Sequence, residues 1–310
     1  MLALVHLALR FVRMALTMKK VTLLMTMTAS LALAACDGGS NNGDASDSGM
    51  ADEGTGDSSG GDEGADAGTG DDGPTEPIDT DGDGLTDEEE AVLGTDPTLV
   101  DTDNDNYWDS WEVNEGTDPL DPESRIYIGY WPYNPNKDEL EQGTWAGANT
   151  NVGTPLPRAE FLDQNNQLVD LYDLGANNKY QVLDTSAQWC GPCHNVADWL
   201  AGANNSNTAG LQQQYPTVRD KVHTYKIMWI TFIVENQSGG PPTLSDSTSW
   251  ASQHPDPYIP VLVDDTQGMR NNYVAGAFPT FFIGAPDMKI EFFPTTDVYQ
   301  ALQFVNDYDF

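Results

Sequence analysis

The tightest constraint on this chain is the stretch from Lys179 to His194. An apolar run with Tyr180, Val182 and Leu183 leads through Asp184 into Trp189-Cys190-Gly191-Pro192-Cys193-His194. The run is short and bounded, so Lys179 to Ala187 reads as a buried strand, and Val196, Trp199 and Leu200 fall at helical spacing over Pro192 to Ala203. Two cysteines separated by two residues therefore stand where a strand hands over to a helix, a candidate redox pair. Cys190 falls at the helix N-terminus, where unpaired N–H groups and the helix dipole favour a thiolate. Cys193, one turn further in, is expected to be shielded and poised to resolve a mixed disulfide.

Charge bounds the rest. The net charge of -36 is concentrated, since no Lys or Arg occurs between Lys20 and Arg125 while Asp and Glu recur throughout. Nucleic acid is excluded as a partner, because a polyanion would be repelled. Residues 1–35 carry Lys19-Lys20, an apolar run from Val21 to Ala32 and then Leu33-Ala34-Ala35-Cys36, the parts of a secretory signal. The run is shorter than the ~20 residues that a membrane span prefers. It resembles a bacterial lipoprotein signal, which implies acylation of Cys36 and a lipid anchor to the membrane, with Met18 or Met14 as an alternative start. Of the three cysteines, lipid then accounts for one and the redox pair for two. Residues 36–78 are mostly Gly, Asp, Ser, Ala, Glu and Asn, too poor in apolar surface to offset chain entropy, and read as a disordered, self-repelling tether.

Residues 79–122 contain an internal repeat. Asp79-Thr80-Asp81 recurs as Asp101-Thr102-Asp103, and Gly94-Thr95-Asp96-Pro97 as Gly116-Thr117-Asp118-Pro119. Asp79, Asp81, Asp83, Asp87 and Glu90 occupy the first, third, fifth, ninth and twelfth positions of an EF-hand-type loop, as do Asp101, Asp103, Asp105, Asp109 and Glu112. Gly84 takes the sixth position in the first unit and Asn106, which also tolerates a left-handed turn, in the second. The units resemble thrombospondin type 3 and related bacterial calcium repeats, which implies structural Ca2+ stiffening the segment into a short stalk. Residues 123–150 form an aromatic-rich connector, with Tyr127, Tyr130, Trp131, Tyr133 and Trp145. They are expected either to pack the stalk against the C-terminal domain or to dock a partner.

That domain, residues 151–310, alternates strand and helix patterns. A second apolar strand is expected over Val222 to Val234 and a short one over Ile259 to Val263, with Thr280 to Ile283 pairing Lys289 to Phe293. Helices are expected within Leu211 to Arg219, over Leu244 to Ser252, at Gln267 to Tyr273 and over Asp297 to Val305. This alternation means an α/β sheet covered on both faces.

The motif Trp189 to Cys193 resembles the active site of the thioredoxin superfamily. Asp184 matches that family's buried acid, and Phe278-Pro279-Thr280 its cis-proline loop. Gly153-Thr154-Pro155 through Leu174 is similar to the N-terminal hairpin of the TlpA/ResA and AhpC/TSA-like branch. The resemblance implies a thioredoxin-like fold with an N-terminal hairpin extension and an extracytoplasmic thiol–disulfide oxidoreductase. Its partners would be disulfide-bearing exported proteins and a membrane redox partner. Cys190 would attack, Cys193 would resolve, Asp184 would take the proton from Cys193, Pro279 would present backbone to the substrate and Trp189 would cover the site. Three alternatives stay open. Cys190 to His194 is formally the C-x-x-C-H signature of c-type haem attachment, with His194 as an iron ligand. The hairpin is shared with thiol peroxidases, although Ala187 stands where they carry Thr. A calcium-dependent surface binding protein without catalysis is the third. His223 and His254 carry no recognisable constellation.

Overall fold

A strand with no polar face has to be covered on both sides, and Ile227–Glu235 is buried at every position. The computed structural model describes residues 77–309 except 177 and 296. The expected signal, Cys36 and most of the tether lie outside the described residues. The chain divides into Met1–Asp71 and Asp72–Phe310, and every described residue belongs to the second unit.

Two short helices come first, α1 (Asp87–Leu93) and α2 (Asp109–Glu115), one in each repeat. The hairpin β1 (Glu160–Leu162) and β2 (Leu168–Asp170) comes after them. Next are β3 (Tyr180–Ala187), α3 (Gly191–Leu200), α4 (Ser206–Gln214), α5 (Val218–His223) and β4 (Ile227–Glu235). Then α6 (Leu244–Gln253), β5 (Val261–Val263), α7 (Gly268–Tyr273), β6 (Thr280–Gly284), β7 (Ile290–Phe292) and α8 (Gln300–Asp307) complete the described elements. The seven strands form one sheet in the order β2-β1-β5-β4-β3-β6-β7. β3, β4 and β5 run parallel, and β6 runs antiparallel to β3 with Thr185 opposite Thr280. With its helices this is the expected thioredoxin-like α/β arrangement. No helix among the described residues is long and apolar enough to cross a membrane.

Some element bounds differ from the sequence reading for local reasons. Val222 lies in the last turn of α5 rather than starting a strand, because Tyr225 takes a positive φ of 52° and separates α5 from β4. α4 begins earlier than expected, since the Asn205 side chain caps the N–H groups of Asn207 and Thr208. α8 begins later, after a turn in which Asp297 accepts from the Tyr299 N–H at 2.9 Å.

One sheet face is covered by helices: Val196, Trp199, Leu200, Val218, Val222, Leu302 and Val305 pack on Val182, Trp229, Phe281 and Ile283. On the other face Leu183, Ile230, Phe232 and Phe282 meet Met269 and Tyr273 of α7 together with Tyr107, Tyr127 and Trp131. The second repeat and the connector are therefore part of the core, and the repeats do not stand off as a stalk. Polar ties set the fit. The Tyr107 hydroxyl donates to the Trp131 carbonyl at 2.7 Å, and the Trp131 indole N–H donates to Asp163 at 2.8 Å. Buried Asp173 accepts from the Tyr127 hydroxyl at 2.6 Å and from Lys137 at 2.8 Å. Burial raises the Asp173 pKa, and Lys137 offsets part of that.

Trp131→Ala should cost about 3–5 kcal/mol in guanidinium denaturation of the full-length protein. Val92→Ala, at a side chain 87% exposed, should stay within about 0.5 kcal/mol of the parent. Equal effects from the two would mean that the connector is not part of the core.

Candidate functional site

The end of β3 and the start of β6 lie side by side, so two loops converge at one end of the sheet's interior strands. In the first, Cys190 is the N-cap of α3, with Pro192 in its first turn, and its sulfur accepts from the Cys193 N–H at 3.2 Å. Cys190 and Cys193 are joined by a disulfide. In the second, the Phe278–Pro279 peptide is cis, and Phe278 packs against the cluster that holds both cysteines.

In this oxidised state Cys190 is as covered as Cys193, at 2% and 1% exposure. Trp189 stands at the rim, 47% exposed. Its indole N–H donates to Glu235 at 2.8 Å and its ring meets Phe278 edge-on at 5.6 Å. Arg270 closes the rim, pairing with Glu235 at 2.5 Å and lying 5.4 Å over the Phe278 ring.

Asp184 lies on the face of β3 that carries Val182, under α3. It is 3% exposed, and the Ser186 and Thr231 hydroxyls donate to it at 2.7 and 3.2 Å. Two hydroxyls do not offset the desolvation, and burial pushes Asp184 up to about 7. A carboxyl of that pKa can exchange a proton near neutral pH.

His194 is held at both ring nitrogens. Nε2 donates to the Gln188 carbonyl at 2.9 Å, Nδ1 shares a hydrogen bond of 2.7 Å with His254 Nε2, and the ring stacks on Trp250 at 4.5 Å. His254 Nδ1 in turn reaches Asp198 at 2.8 Å. Burial lowers the His254 pKa, the neighbouring His194 adds to that, and Asp198 offsets only part of it. The expectation that His254 belongs to no constellation is corrected here. The two histidines are 60 positions apart, and only the packing of α6 beside α3 brings them together. With both nitrogens engaged, His194 has no lone pair directed at an iron.

The acidic repeats form two loops of one design. Each ends its helix at a glycine with positive φ, 92° at Gly94 and 85° at Gly116, whose N–H caps Glu90 and Glu112 respectively. Carboxylate oxygens of Asp79, Asp81 and Asp83 lie within 4.8 Å of one another, and so do those of Asp101, Asp103 and Asp105. Glu90 and Glu112 are fully buried, and each keeps one oxygen without a hydrogen-bond partner, as do Asp81, Asp103 and Asp105. Orphaned, buried acceptors beside converging carboxylates fit a hard divalent cation. Burial together with neighbouring carboxylates pushes Asp103 up to about 6, and Glu112, despite its bond to Thr117, up to about 8. Both oxygens of Asp87 accept from Thr80, and both of Asp109 from Thr102, so these acids clamp the loop to its helix. Ser110 ties the loops together, its N–H and hydroxyl donating to Asp83 at 2.9 and 2.7 Å.

A family model for the bacterial TSP3 repeat matches residues 79–99 and 101–122. No curated protein matches the chain. Among solved structures, a thioredoxin-like protein from Bacteroides caccae is 15% identical with a TM-score of 0.38, covering 51% of this chain and 50% of its own, so the chain spans about half the length of that protein. The thioredoxin domain of a thiol-disulfide oxidoreductase from Bacteroides vulgatus is 18% identical (TM-score 0.34; 50% and 98% covered). The exposed lipoprotein thioredoxin of Streptococcus pneumoniae is 17% identical (TM-score 0.34; 49% and 99% covered).

Asp184 gives the oxidised protein a signed pH dependence. Its folded pKa of about 7 lies above the ~3.9 of an unfolded Asp. The folded state therefore binds the extra proton, and stability falls as pH rises from about 4 to about 7. Asp184→Asn never ionises, so its stability relative to the parent should improve by roughly 3–4 kcal/mol between pH 4 and pH 8. Denaturation at both pH values checks this, and a pH-independent difference would contradict a buried, protonated Asp184.

Proposed function

We propose that the chain is an extracytoplasmic, lipid-anchored thiol–disulfide oxidoreductase that reduces disulfides in exported proteins. The observation that carries this reading is the Cys190–Cys193 disulfide at the N-terminus of α3, above buried Asp184 and beside Phe278–Pro279. The anchor rests on Cys36 after Leu33-Ala34-Ala35.

In the reduced protein the Cys190 thiolate, favoured at the helix N-terminus, attacks one sulfur of a substrate disulfide. A Cys190–substrate mixed disulfide forms, and the other substrate sulfur leaves as thiolate. Asp184, ionised, takes the proton from Cys193. The Cys193 thiolate then attacks the Cys190 sulfur, releasing the second substrate thiolate and leaving Cys190–Cys193 oxidised. Two electrons pass from the pair to the substrate, and a dithiol on a membrane redox partner returns them. Trp189 and Phe278 frame the approach, and Pro279 offers backbone that lacks an N–H.

Insulin serves as a general disulfide probe. With the reduced full-length protein, Cys193→Ser should accumulate a mixed disulfide at Cys190, whereas Cys190→Ser should form none. Asp184→Asn should slow resolution by about a hundredfold while leaving the first attack unchanged. A Cys193→Ser protein that never traps insulin would sink the oxidoreductase reading.

The TSP3 repeats bind Ca2+ structurally in the same reading. Asp79, Asp81, Asp83 and Glu90 would hold one ion, and Asp101, Asp103, Asp105 and Glu112 the other. Calorimetry on the full-length chain should detect two ions with dissociation constants on the order of 10⁻⁴ M or below. Glu112→Gln should lose one of them, and chelation should lower Tm because the ions bind only the folded state. Absence of binding heat in millimolar calcium would remove the ions from this account.

A further inference from the structure

The hydrogen bonds around His194 fix how many protons that site holds. The Gln188 carbonyl can only accept, so His194 Nε2, 2.9 Å away, carries a hydrogen. The Asp198 carboxylate takes one from His254 Nδ1 at 2.8 Å. A third lies between His194 Nδ1 and His254 Nε2, 2.7 Å apart. With three hydrogens shared among the four ring nitrogens, the two imidazoles would together bear one positive charge opposite Asp198. One proton fewer leaves two lone pairs facing each other, and one more leaves two N–H groups facing each other. Either opens the chain of hydrogen bonds.

The histidine pair adjoins the cluster that holds the sulfurs. His194 is the residue after Cys193, its N–H donates to the Cys190 carbonyl at 3.2 Å, and its ring stacks on Trp250, which packs with Cys190 and Cys193 in one buried cluster. Other charged groups on the surrounding elements are committed elsewhere. Glu235 of β4 pairs with Arg270 of α7, Asp246 of α6 caps its own helix through Thr243, and Asp256 pairs with His223 of α5. Asp184 lies under α3 and accepts from the Ser186 and Thr231 hydroxyls.

We propose that His254 and Asp198 are positioning residues that hold one shared positive charge on the His194 side of the Cys190–Cys193 pair, favouring the Cys190 thiolate until the pair of histidines loses that proton. This rests on the oxidoreductase reading, and it makes the Cys190 thiol harder to ionise once the histidine pair has lost its proton.

The test is alkylation of Cys190 by iodoacetamide in the reduced full-length protein from pH 5 to pH 9. Mass spectrometry of the Cys190 peptide separates it from Cys36, and a distinct site of modification separates it from Cys193. The parent should show two inflections, one from the thiol and one from the histidine pair. His254→Gln keeps a donor to His194 but removes the charge, so the rate at pH 6 should drop about tenfold and one inflection should vanish. Asp198→Asn keeps an acceptor but removes the countercharge, moving the second inflection to lower pH. Superimposable parent and His254→Gln profiles overturn the proposal. If His254→Gln fails to fold by circular dichroism, Asp198→Asn decides alone, at a side chain 36% exposed, and an unmoved inflection overturns it. The alkylation needs no disulfide substrate. Failure to trap insulin would therefore remove the enzymatic reading while leaving the alkylation profile to judge the charge.

Discussion

A carboxyl group buried against two hydroxyls costs desolvation energy that the surrounding α/β unit has to sustain. Asp184 stays in place because β3 is locked between β4 and β6, with register on both sides. That locking requires a sheet packed on two faces. The helices α3, α5 and α8 supply one layer. On the opposite face α7 is too short to cover the strands alone, and the aromatic side chains Tyr107, Tyr127 and Trp131 complete the layer. The proton chemistry proposed beneath the sulfurs thus depends on residues that precede the α/β unit in sequence.

What could be read in the sequence was local. The turn from Trp189 to His194, the acid at Asp184, the Phe278-Pro279 loop and the repeated Gly-Thr-Asp-Pro ends all express their structure within a few residues, through capping, strand burial or a left-handed glycine. The strand of β4 was legible as an apolar run, but its start was not, because a break at Tyr225 depends on one backbone angle. The partnership of His194 with His254 was invisible, since it arises from two helices meeting through the third dimension. The hold that Thr80 and Thr102 have on Asp87 and Asp109 was not read from the spacing of the acids. A threonine one position after each loop's first aspartate offers both an N–H and a hydroxyl, and that pair of donors captures the carboxylate. The connector had aromatic residues without a period, so nothing in its pattern named the surface it covers.

The distribution of charge now has a structural meaning. A chain this acidic would push its own carboxylates apart, yet the two loops draw them together through backbone N–H groups and hydroxyls, with Arg125 alongside Asp105 at 3.6 Å. The second loop is also the one that carries Tyr107, whose hydroxyl binds the Trp131 carbonyl. The acidic cluster of the second repeat and the far side of the sheet are linked by a single short run of residues, Asp105 to Tyr107. The same run holds a second loop oxygen and a core ring, so order in one is order in the other.

That shared core changes what counts as a module here. Repeats of this kind are easily pictured as beads that can be added, lost or exchanged between genes, with the α/β unit inherited intact. In this chain a recombination joint placed at the start of the hairpin would strip Leu183, Phe232 and Phe282 of part of their cover. The second repeat, the connector and the α/β unit share one core, and a joint placed upstream of the second repeat would leave that core intact.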